Sequence, residues 1–500
     1  MGFYYDTYVR NPMVDENIFF KMQMEEADPP SFDDVRSMLP QPFWKDHDEA
    51  ILCYWKAWEL AFKNLKKPTA ENGFIANYIA TAFNDCLFMW DSVFALMFGK
   101  YGLSVFNFQR TLDNFYAKQH PDGFICREIA ESDGTDRFHR FDPSSTGPNV
   151  MPWSEWEYYC ITGDKERLSR VFPVLVAYHR WLRAYRTWPD GTYWTSGWGA
   201  GMDNQPRLKN CNSHEFFHGH MVWLDMCLQM VFSGKILVEM AGILGREAEI
   251  EDFKEEIDRL CWFINEKLWD DDVGFYFDMH PGNKLSKVKT IGAYWALLAD
   301  IVPGNRLERF VSHLEDPCEF KRTHRVPSLP ADTPGYCSKG NYWRGGVWVF
   351  TNYMILRGLT KNGFDTLAYE IARNHLDNVV KVFQQTGTIW ENYAPDYVAP
   401  GEPARSDFVG VGGVSPIAVL FEYIFGLRPE VDNSILIWDI RLLEEHGVKN
   451  YPFGKYGTLD VKCERRSSYE EEPKVTITSN IPISVQLKWN NGTQSRILTT

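Results

Sequence analysis

The sequence predicts a mainly helical protein, an (α/α)6 barrel followed by a small C-terminal β-domain. Three observations lead to this fold class. Residues 47–430 carry apolar residues at helical spacing in one segment after another, and short Gly-rich breaks alternate with long loops rich in Gly, Pro and Trp. After residue 431 the pattern changes to period two. Six helical hairpins with their long loops at one end describe such a barrel, while an irregular all-helical protein is the alternative that periodicity leaves open.

The helical pattern recurs in twelve segments, which we expect to form six antiparallel pairs. Short breaks such as Gly102 and Gly245 join neighbours within a pair, and the longer aromatic loops between pairs are where functional residues are expected. The predicted helices cover residues 50–65, 91–101, 103–117, 152–162, 165–185, 219–244, 250–268, 291–299, 306–314, 345–357, 364–383 and 414–425.

The C-terminal region alternates between apolar and polar residues and is rich in β-branched side chains. Short strands are predicted at residues 435–438, 459–463, 474–478 and 484–489, and Asn491-Gly492 indicates a tight hairpin turn rather than a glycosylation site. The first residues are polar and contain paired prolines. We therefore divide the chain into an N-terminal arm (1–46), the barrel (47–430) and the β-domain (431–500).

The composition is that of an ordinary folded protein and argues against some partners. The 500 residues include 52 basic and 67 acidic side chains, a net charge of −15, which disfavours binding to nucleic acid and to an anionic membrane surface. No run of about 18 uninterrupted apolar residues predicts a membrane-spanning helix. The 34 Phe, 24 Tyr and 19 Trp residues suit a core, an interface or a sugar-stacking cleft.

The N-terminal sequence favours a cytoplasmic location. Residues 1–16 lack the basic and apolar regions of a signal peptide. A leader removed before residue 1 is the alternative that stays open, as does assembly into a homo-oligomer. No pattern in the chain calls for a cofactor.

Two lone carboxylates lie in long aromatic loops between predicted helices. Asp203 is the only carboxylate of loop 194–207, and Glu391 lies between aromatic residues in segment 388–393. Aromatic surroundings raise the pKa of a carboxyl group, so that it can act as an acid near neutral pH. One acid and one base are the minimum equipment for breaking a glycosidic bond, and we predict that Asp203 and Glu391 form this catalytic pair. A turn-forming role is the competing interpretation of Asp203.

Other residues of these loops are candidates for binding a substrate. Trp90 offers a face on which a sugar can stack, and Asp91 can accept hydrogen bonds from hydroxyl groups, although Asp91 also fits the N-cap of the following helix. For Trp153 core packing is the more typical role, with substrate binding as the alternative. The predicted substrate-binding residues are Trp90, Asp91, Trp153, Trp198, Asn204, Gln205, Trp343, Arg344, Gly345, Trp390 and Tyr393.

One short pattern points to a different chemistry. His214, Glu215 and His218 match the HExxH sequence of zinc peptidases, and Glu239 follows at a distance that could supply a third ligand. Gly219 interrupts the helical pattern directly after His218, so the two histidines are not expected to share one helical face. We therefore expect no metal site, and a zinc peptidase is retained as an alternative function.

Five motifs in a fixed order carry a resemblance to a known family. They are MWDS at residues 89–92, GMDNQPR at 201–207, YWRG at 342–345, WENY at 390–393 and GVGG at 410–413. With them, residues 50–430 resemble the six-hairpin glycosidases. The closest resemblance is to the bacterial branch of glycoside hydrolase family 63, near the mannosylglycerate and glucosylglycerate hydrolases, with trehalases as relatives.

The resemblance implies an inverting, exo-acting hydrolase of short α-linked glucosides or mannosides that uses no metal. By the family's motifs, Asp203 would be the general acid and Glu391 the general base, while Trp90, Asp91, Trp343 and Arg344 would bind the sugar. Inversion requires the two carboxyl groups to lie about 6.5–9.5 Å apart, with a water between the base and the anomeric carbon. A non-catalytic sugar-binding barrel is a further alternative. The particular α-glycoside and the role of residues 214–220 stay open.

Overall fold

The computed structural model describes residues 9–81, 84–208, 216–430 and 434–499, and helices dominate these ranges. Most helices coincide with segments of helical apolar spacing. The α-helices are α1 Phe32–Val35, α2 Asp48–Lys63, α3 Met89–Gly99, α4 Thr111–Tyr116, α5 Met151–Thr162, α6 Lys165–Tyr185, α7 Leu224–Leu244, α8 Glu251–Lys267, α9 Trp295–Leu298, α10 Gly304–Ser312, α11 Val349–Lys361, α12 Asp365–Thr386 and α13 Val409–Gly412. A π-helix, Val414–Ile424, follows α13.

Alternate helices of the chain contact one another in sequence order. Helix α3 contacts α5, α5 contacts α7, α7 contacts α9, and α9 contacts α11. Helix α11 then contacts the π-helix, which packs back on α3. Helices α2, α4, α6, α8 and α12 each pack against a member of this inner series. The described part of the chain is therefore a helical protein with an inner and an outer set of helices.

Several predicted helices begin later or are interrupted, and the backbone supplies the reason. The segment predicted at 219–244 becomes helical only at Leu224, because Gly219 (φ 63°) and His220 (φ 52°) adopt left-handed conformations. The segment predicted at 345–357 begins at Val349, since Gly345 has φ 131°. Within 103–117 only α4 is α-helical, and 414–424 is a π-helix.

The β-strands form two larger sheets and four short pairs. The strands are β1 Gln41–Trp44, β2 Leu65–Lys66, β3 Tyr78–Ile79, β4 Cys86–Phe88, β5 Glu128–Ala130, β6 Trp269–Asp270, β7 Phe275–Tyr276, β8 Met279–His280, β9 Lys284–Leu285, β10 Leu427–Glu430, β11 Ile435–Asp439, β12 His446–Phe453, β13 Gly457–Cys463, β14 Val475–Ser479, β15 Ser484–Trp489 and β16 Gln494–Thr499. The four-stranded sheets have the orders β1-β12-β13-β14 and β10-β11-β15-β16.

These sheets confirm the four predicted C-terminal strands and add others. Strands β15 and β16 pair antiparallel, and the predicted turn at Asn491-Gly492 connects them. Strand β1 comes from the predicted N-terminal arm and pairs with β12, while β10 precedes residue 431. The two sheets thus use residues from outside 431–500, and the division of the chain into three domains stays a prediction.

Helix α7 is unusually apolar for a helix of this length. By length and composition alone it could cross a membrane, with a mean hydropathy of 1.5 over its most apolar window. However, 67% of that window is buried, and the helix contacts α5, α6, α8 and α9. These contacts are typical of a helix in the core of a protein.

Candidate active site

A cavity of about 260 Å³ lies where several inner helices begin. Its walls include Phe88, Pro148, Trp348 and Phe408, which lie just before α3, α5, α11 and α13. Six of the residues predicted from the sequence line the cavity: Trp90, Asp91, Trp198, Asp203, Trp343 and Glu391. The two predicted catalytic carboxylates are therefore brought together from loops that are far apart in the chain.

The loop that carries Asp203 lies directly against Trp90. The Met202 amide donates a hydrogen bond to the carbonyl oxygen of Gly197 over 3.1 Å, which closes a tight turn. Gly201 has φ 70°, and a Cβ atom there would lie 3.3 Å from the Trp90 indole. Glycine at this position allows both the left-handed backbone and the close approach. Asp203 follows two residues later and faces the same cavity as Trp90.

A buried arginine fixes the end of this loop. Arg207 donates hydrogen bonds from both Nη atoms to Asp225, at 2.6 and 2.9 Å. It also donates to Asp278 from Nε (2.8 Å) and Nη2 (2.6 Å). The guanidinium group lies 4.2 Å from the ring centroid of Trp223. Bidentate pairs impose a defined geometry, so Arg207 acts as a positioning residue for the loop of Asp203.

Hydrogen bonds hold Glu391 through its backbone amide and through both carboxyl oxygens. Its amide donates to the Arg405 carbonyl oxygen (2.9 Å), and the Arg405 amide donates to Oε2 (3.2 Å). The Tyr342 hydroxyl donates to Oε1 over 3.4 Å. Burial raises the pKa of Glu391, while the charge and amide of Arg405 and the Tyr342 hydroxyl oppose that rise. A buried carboxylate with a raised pKa is a suitable general base.

Asp91 occupies the first turn of α3 and has a strongly raised pKa. Strand β4 pairs with β5, which brings Glu128 and Arg127 next to the start of α3. Burial, followed by the negative charge of Glu391, raises the pKa of Asp91 to about 7. Burial also raises the pKa of Glu128, which forms an ion pair with Arg127. Asp91 is thus partly neutral at physiological pH and can both donate and accept hydrogen bonds.

Aromatic rings form one wall of the cavity. The rings of Trp343 and Trp348 stack with centroids 4.3 Å apart and an interplanar angle of 4°. Phe350 stacks 5.6 Å from Trp343, and Trp90 meets Phe350 edge-on at 5.4 Å. Such a wall offers apolar faces to a ring-shaped ligand, with the carboxylates around it.

The remaining predicted binding residues do not line the cavity. They are Trp153, Asn204, Gln205, Arg344, Gly345, Trp390 and Tyr393. Asn204 joins two loops, because its Oδ1 accepts from the Trp343 amide (2.9 Å) and its Nδ2 donates to the Asn341 carbonyl oxygen (3.0 Å). Gln205 donates to the Ser328 carbonyl oxygen over 2.7 Å. Their assignment to substrate binding stays a prediction.

Trp153 and the aromatic residues beside Glu391 also have partners of their own. Trp153 stacks on Tyr353 with centroids 5.9 Å apart and donates to Glu157 over 3.2 Å. The Trp390 indole donates to the Thr386 hydroxyl (3.0 Å), and the Trp390 amide donates to the Tyr393 hydroxyl (3.3 Å). In this conformation Trp153, Trp390 and Tyr393 contact other residues of the protein and so contribute to its packing.

Sequence reasoning missed several residues of the cavity wall. Arg127 and Glu128 arrive through the β4–β5 pairing, and Arg405 arrives through backbone contacts with Glu391. Tyr342 belongs to the YWRG motif, and its position next to Trp343 is a signal that could have identified it. Its φ of 62° places the side chain beside Glu391.

The HExxH pattern falls largely outside the described residues. His214 and Glu215 lie in the segment 209–215, which is not among the described ranges. His218 is described, and it precedes the first residue of α7 by six positions. Within the described ranges no group of three or more His, Cys, Asp or Glu residues is arranged to hold a metal ion.

Comparison with known proteins establishes the class of the chain. Residues 86–407 match the family model described as "Mannosylglycerate hydrolase MGH1-like glycoside hydrolase domain". The match includes both predicted catalytic carboxylates and most of the cavity wall. The protein is therefore a glycoside hydrolase. Within that class it belongs to the MGH1-like family.

Individual relatives agree with this assignment. A mannosylglycerate hydrolase of Thermus thermophilus is 24% identical over 58% of this chain and 85% of its own length. A probable mannosyl-oligosaccharide glucosidase of Schizosaccharomyces pombe is also 24% identical, over 49% of this chain and only 33% of that protein. The crystal structure of a Thermus thermophilus GH63 mannosylglycerate hydrolase in complex with glucose superposes with a TM-score of 0.60 and 22% identity, covering 73% of this chain and 99% of that one. This last likeness concerns the fold.

Proposed function

We propose that this glycoside hydrolase is an inverting, exo-acting α-glycosidase for short α-linked glucosides or mannosides, built on an (α/α)6 barrel. The observation that carries the proposal is that Asp203 and Glu391, from separate loops, line one small cavity with Trp90 and Asp91. The order of contacts among the inner helices supports the barrel. The names of the relatives, a mannosylglycerate hydrolase and a mannosyl-oligosaccharide glucosidase, support the substrate class.

In the proposed reaction Asp203 protonates the oxygen of the leaving group. Glu391 accepts a proton from a water molecule, which attacks the anomeric carbon from the opposite face. The Arg405 amide and the Tyr342 hydroxyl orient the Glu391 carboxylate toward this water. No covalent intermediate forms, so the configuration at the anomeric carbon is reversed.

The cavity suits one sugar ring at the end of a chain. Its volume of about 260 Å³ is smaller than that of pockets for drug-sized ligands, which supports release of single sugars. The stacked wall of Trp343 and Trp348 provides an apolar face. Asp91, with its pKa of about 7, provides a partner for hydroxyl groups. Such a combination of stacking and hydrogen bonding is what sugar recognition requires.

A substrate screen tests the proposal. Purified protein is incubated with α-linked and β-linked gluco- and manno-disaccharides, with mannosylglycerate and glucosylglycerate, and with α-linked oligosaccharides, and the products are separated by thin-layer chromatography. We expect single sugars from at least one α-linked compound and none from the β-linked set. Cleavage of β-linked compounds only, or internal cleavage of the oligosaccharides, would contradict the proposal.

A further inference from the structure

Two exposed phenylalanines follow each other in the chain, and the first contacts Trp198 of the cavity wall. Phe216 and Phe217 expose 46% and 37% of their surface. Among the large apolar side chains that are exposed in the described ranges, they are the only two that are neighbours in sequence. Exposed aromatic pairs that adjoin a functional site commonly mark a binding surface. The catalytic proposal does not use them.

Phe216 extends the cavity wall outward. Its ring centroid lies 4.5 Å from that of Trp198, with the planes tilted by 45°. Trp198 itself lines the cavity and belongs to the same loop as Asp203. Since Asp203 protonates the leaving group in the proposed reaction, this wall lies on the leaving-group side of the bond that is cleaved. We call Trp198, Phe216 and Phe217 the aromatic extension.

A layer of rings supports the aromatic extension from beneath. Phe217 packs on His218 with centroids 4.8 Å apart, and His218 packs on Trp194 at 5.0 Å. The backbone is held as well, because the Trp223 indole donates to the His218 carbonyl oxygen over 2.9 Å. Phe217 is therefore supported by these rings and Phe216 by Trp198, which lowers the entropy lost when a ligand binds.

In the described part of the chain, the cationic side chain in contact with the aromatic extension is already paired. The Arg127 guanidinium lies 5.3 Å from the Trp198 ring, but it is paired with Glu128 and donates from Nε to the Ser144 carbonyl oxygen (2.7 Å). Burial lowers the pKa of His218, which disfavours the charged form of this ring. A neutral aromatic surface suits the C–H face of a sugar ring better than it suits a carboxylate.

We propose that Trp198 and Phe216 bind a second sugar ring, so that the natural substrate is an α-linked disaccharide or longer saccharide rather than a glycosylglycerate. This inference rests on the proposed function and narrows its substrate class. The sugar ring stacks on Phe216 while its linking oxygen lies near Asp203. The carboxylate of a glycerate group would meet a neutral aromatic surface at the same place.

Steady-state kinetics of Phe216→Ala test the inference. Three substrates are compared: the α-linked disaccharide that the wild type cleaves best, the α-glycosyl fluoride of the sugar it releases, and the matching glycosylglycerate. The fluoride fills only the cavity for the cleaved sugar. We expect the ratio of kcat/KM for the disaccharide to that for the fluoride to fall about three- to tenfold, mainly through KM, because one aromatic contact is lost. Phe216→Tyr should restore the ratio.

A matched control variant is included, and the possible results distinguish failure of this inference from failure of the proposed function. Phe20, with 48% of its surface exposed and no place in the site, supplies the control Phe20→Ala, which should change none of the three activities. An unchanged ratio in Phe216→Ala, or a wild type that prefers the glycosylglycerate, would overturn this inference while leaving the α-glycosidase intact. Failure of the wild type on all three compounds would overturn the proposed function and this inference with it.

Discussion

Two groups of buried charges lie at opposite ends of the inner helix α3. The pKa values of their carboxyl groups shift in opposite directions. At the start of α3, Asp91 lines the same cavity as Glu391. Burial raises the pKa of both carboxyl groups. Just beyond the last turn, the Lys100 ammonium lies 3.0 Å from Glu157 and 3.1 Å from Glu422. There the pKa of Glu157 falls to about 2, and that of Glu422 is lowered.

The difference arises from the cations and not from burial. Arg357 contacts Glu157 at 2.5 Å and Glu422 at 3.2 Å, so two cations neutralise two carboxylates. At the cavity Arg127 is paired with Glu128, and Asp91 has Glu391 as its main charged neighbour. Burial alone disfavours the ionised form, whereas a pair of buried opposite charges favours it. The same helices therefore carry a structural ion cluster at one end and, at the other, carboxyl groups whose neutral form is favoured.

The largest effect is expected from removing proton transfer at the cavity. Asp203→Asn and Glu391→Gln keep the shape of the side chains but should each lower kcat by about 10²–10⁴-fold. An α-glycosyl fluoride, whose leaving group needs no proton, should partly rescue Asp203→Asn but not Glu391→Gln. Glu402→Gln, an exposed change in the loop after Glu391, is the matched control and should keep full activity. Equal rescue of both variants would show that the roles are assigned wrongly.

The second prediction concerns the ion cluster. Glu157→Gln leaves Lys100 and Arg357 with one carboxylate fewer and should lower the free energy of unfolding by about 3–5 kcal/mol at neutral pH. Glu157 has a lowered pKa, so its contribution is present above the unfolded value of about 4.5 and is lost as the pH falls toward 2. Urea unfolding from pH 3 to 7 measures this. A variant as stable as the wild type at pH 7 would contradict the account.

Asp91→Asn should show the opposite dependence on pH. The folded pKa of about 7 lies above the ordinary value of 3.8, so the wild type loses stability as the pH rises from about 4 to 7. The variant lacks this loss and should be more stable at pH 8 by on the order of 1 kcal/mol, while its activity falls more than about tenfold. Melting curves at pH 5 and pH 8 with parallel activity assays check both parts. If the melting temperatures of wild type and variant change equally between pH 5 and pH 8, ionisation of Asp91 does not destabilise the fold.

The smallest effect is expected from metal removal. The proposed acid and base need no metal, so dialysis against a chelator should leave kcat/KM unchanged. Elemental analysis of the purified protein accompanies the assay. Stoichiometric zinc, with activity lost on chelation and restored by added zinc, would instead favour the HExxH segment as a functional site.

The sequence predicts the residues of the cavity better than it predicts the ion cluster. Helical periodicity identifies most of the inner helices, and local motifs select Trp90, Asp91, Asp203 and Glu391 because each lies in a distinctive aromatic loop. The ion cluster leaves no such signal. Lys100 and Glu422 are far apart in the chain, and only the packing of α3 against the π-helix brings them together.

The missed residues of the cavity have the same explanation. Arg127 reaches the start of α3 through strand pairing, and Arg405 reaches Glu391 through backbone hydrogen bonds, neither of which a local pattern contains. Likewise, the polar N-terminal segment gives no sign that β1 completes a sheet with β12. Hydrophobic periodicity and short motifs indicate the local role of a residue. Contacts between residues that are far apart in the chain depend on the tertiary fold.

The configuration of the first-formed product tests the central claim most directly. Proton NMR follows the wild-type reaction on an α-linked substrate at early times, before the released sugar mutarotates. If Asp203 acts as acid and Glu391 activates a water on the opposite face, the β-anomer must appear first and the α-anomer only later by mutarotation. Initial appearance of the α-anomer would mean retention of configuration and would contradict the roles assigned to both carboxylates.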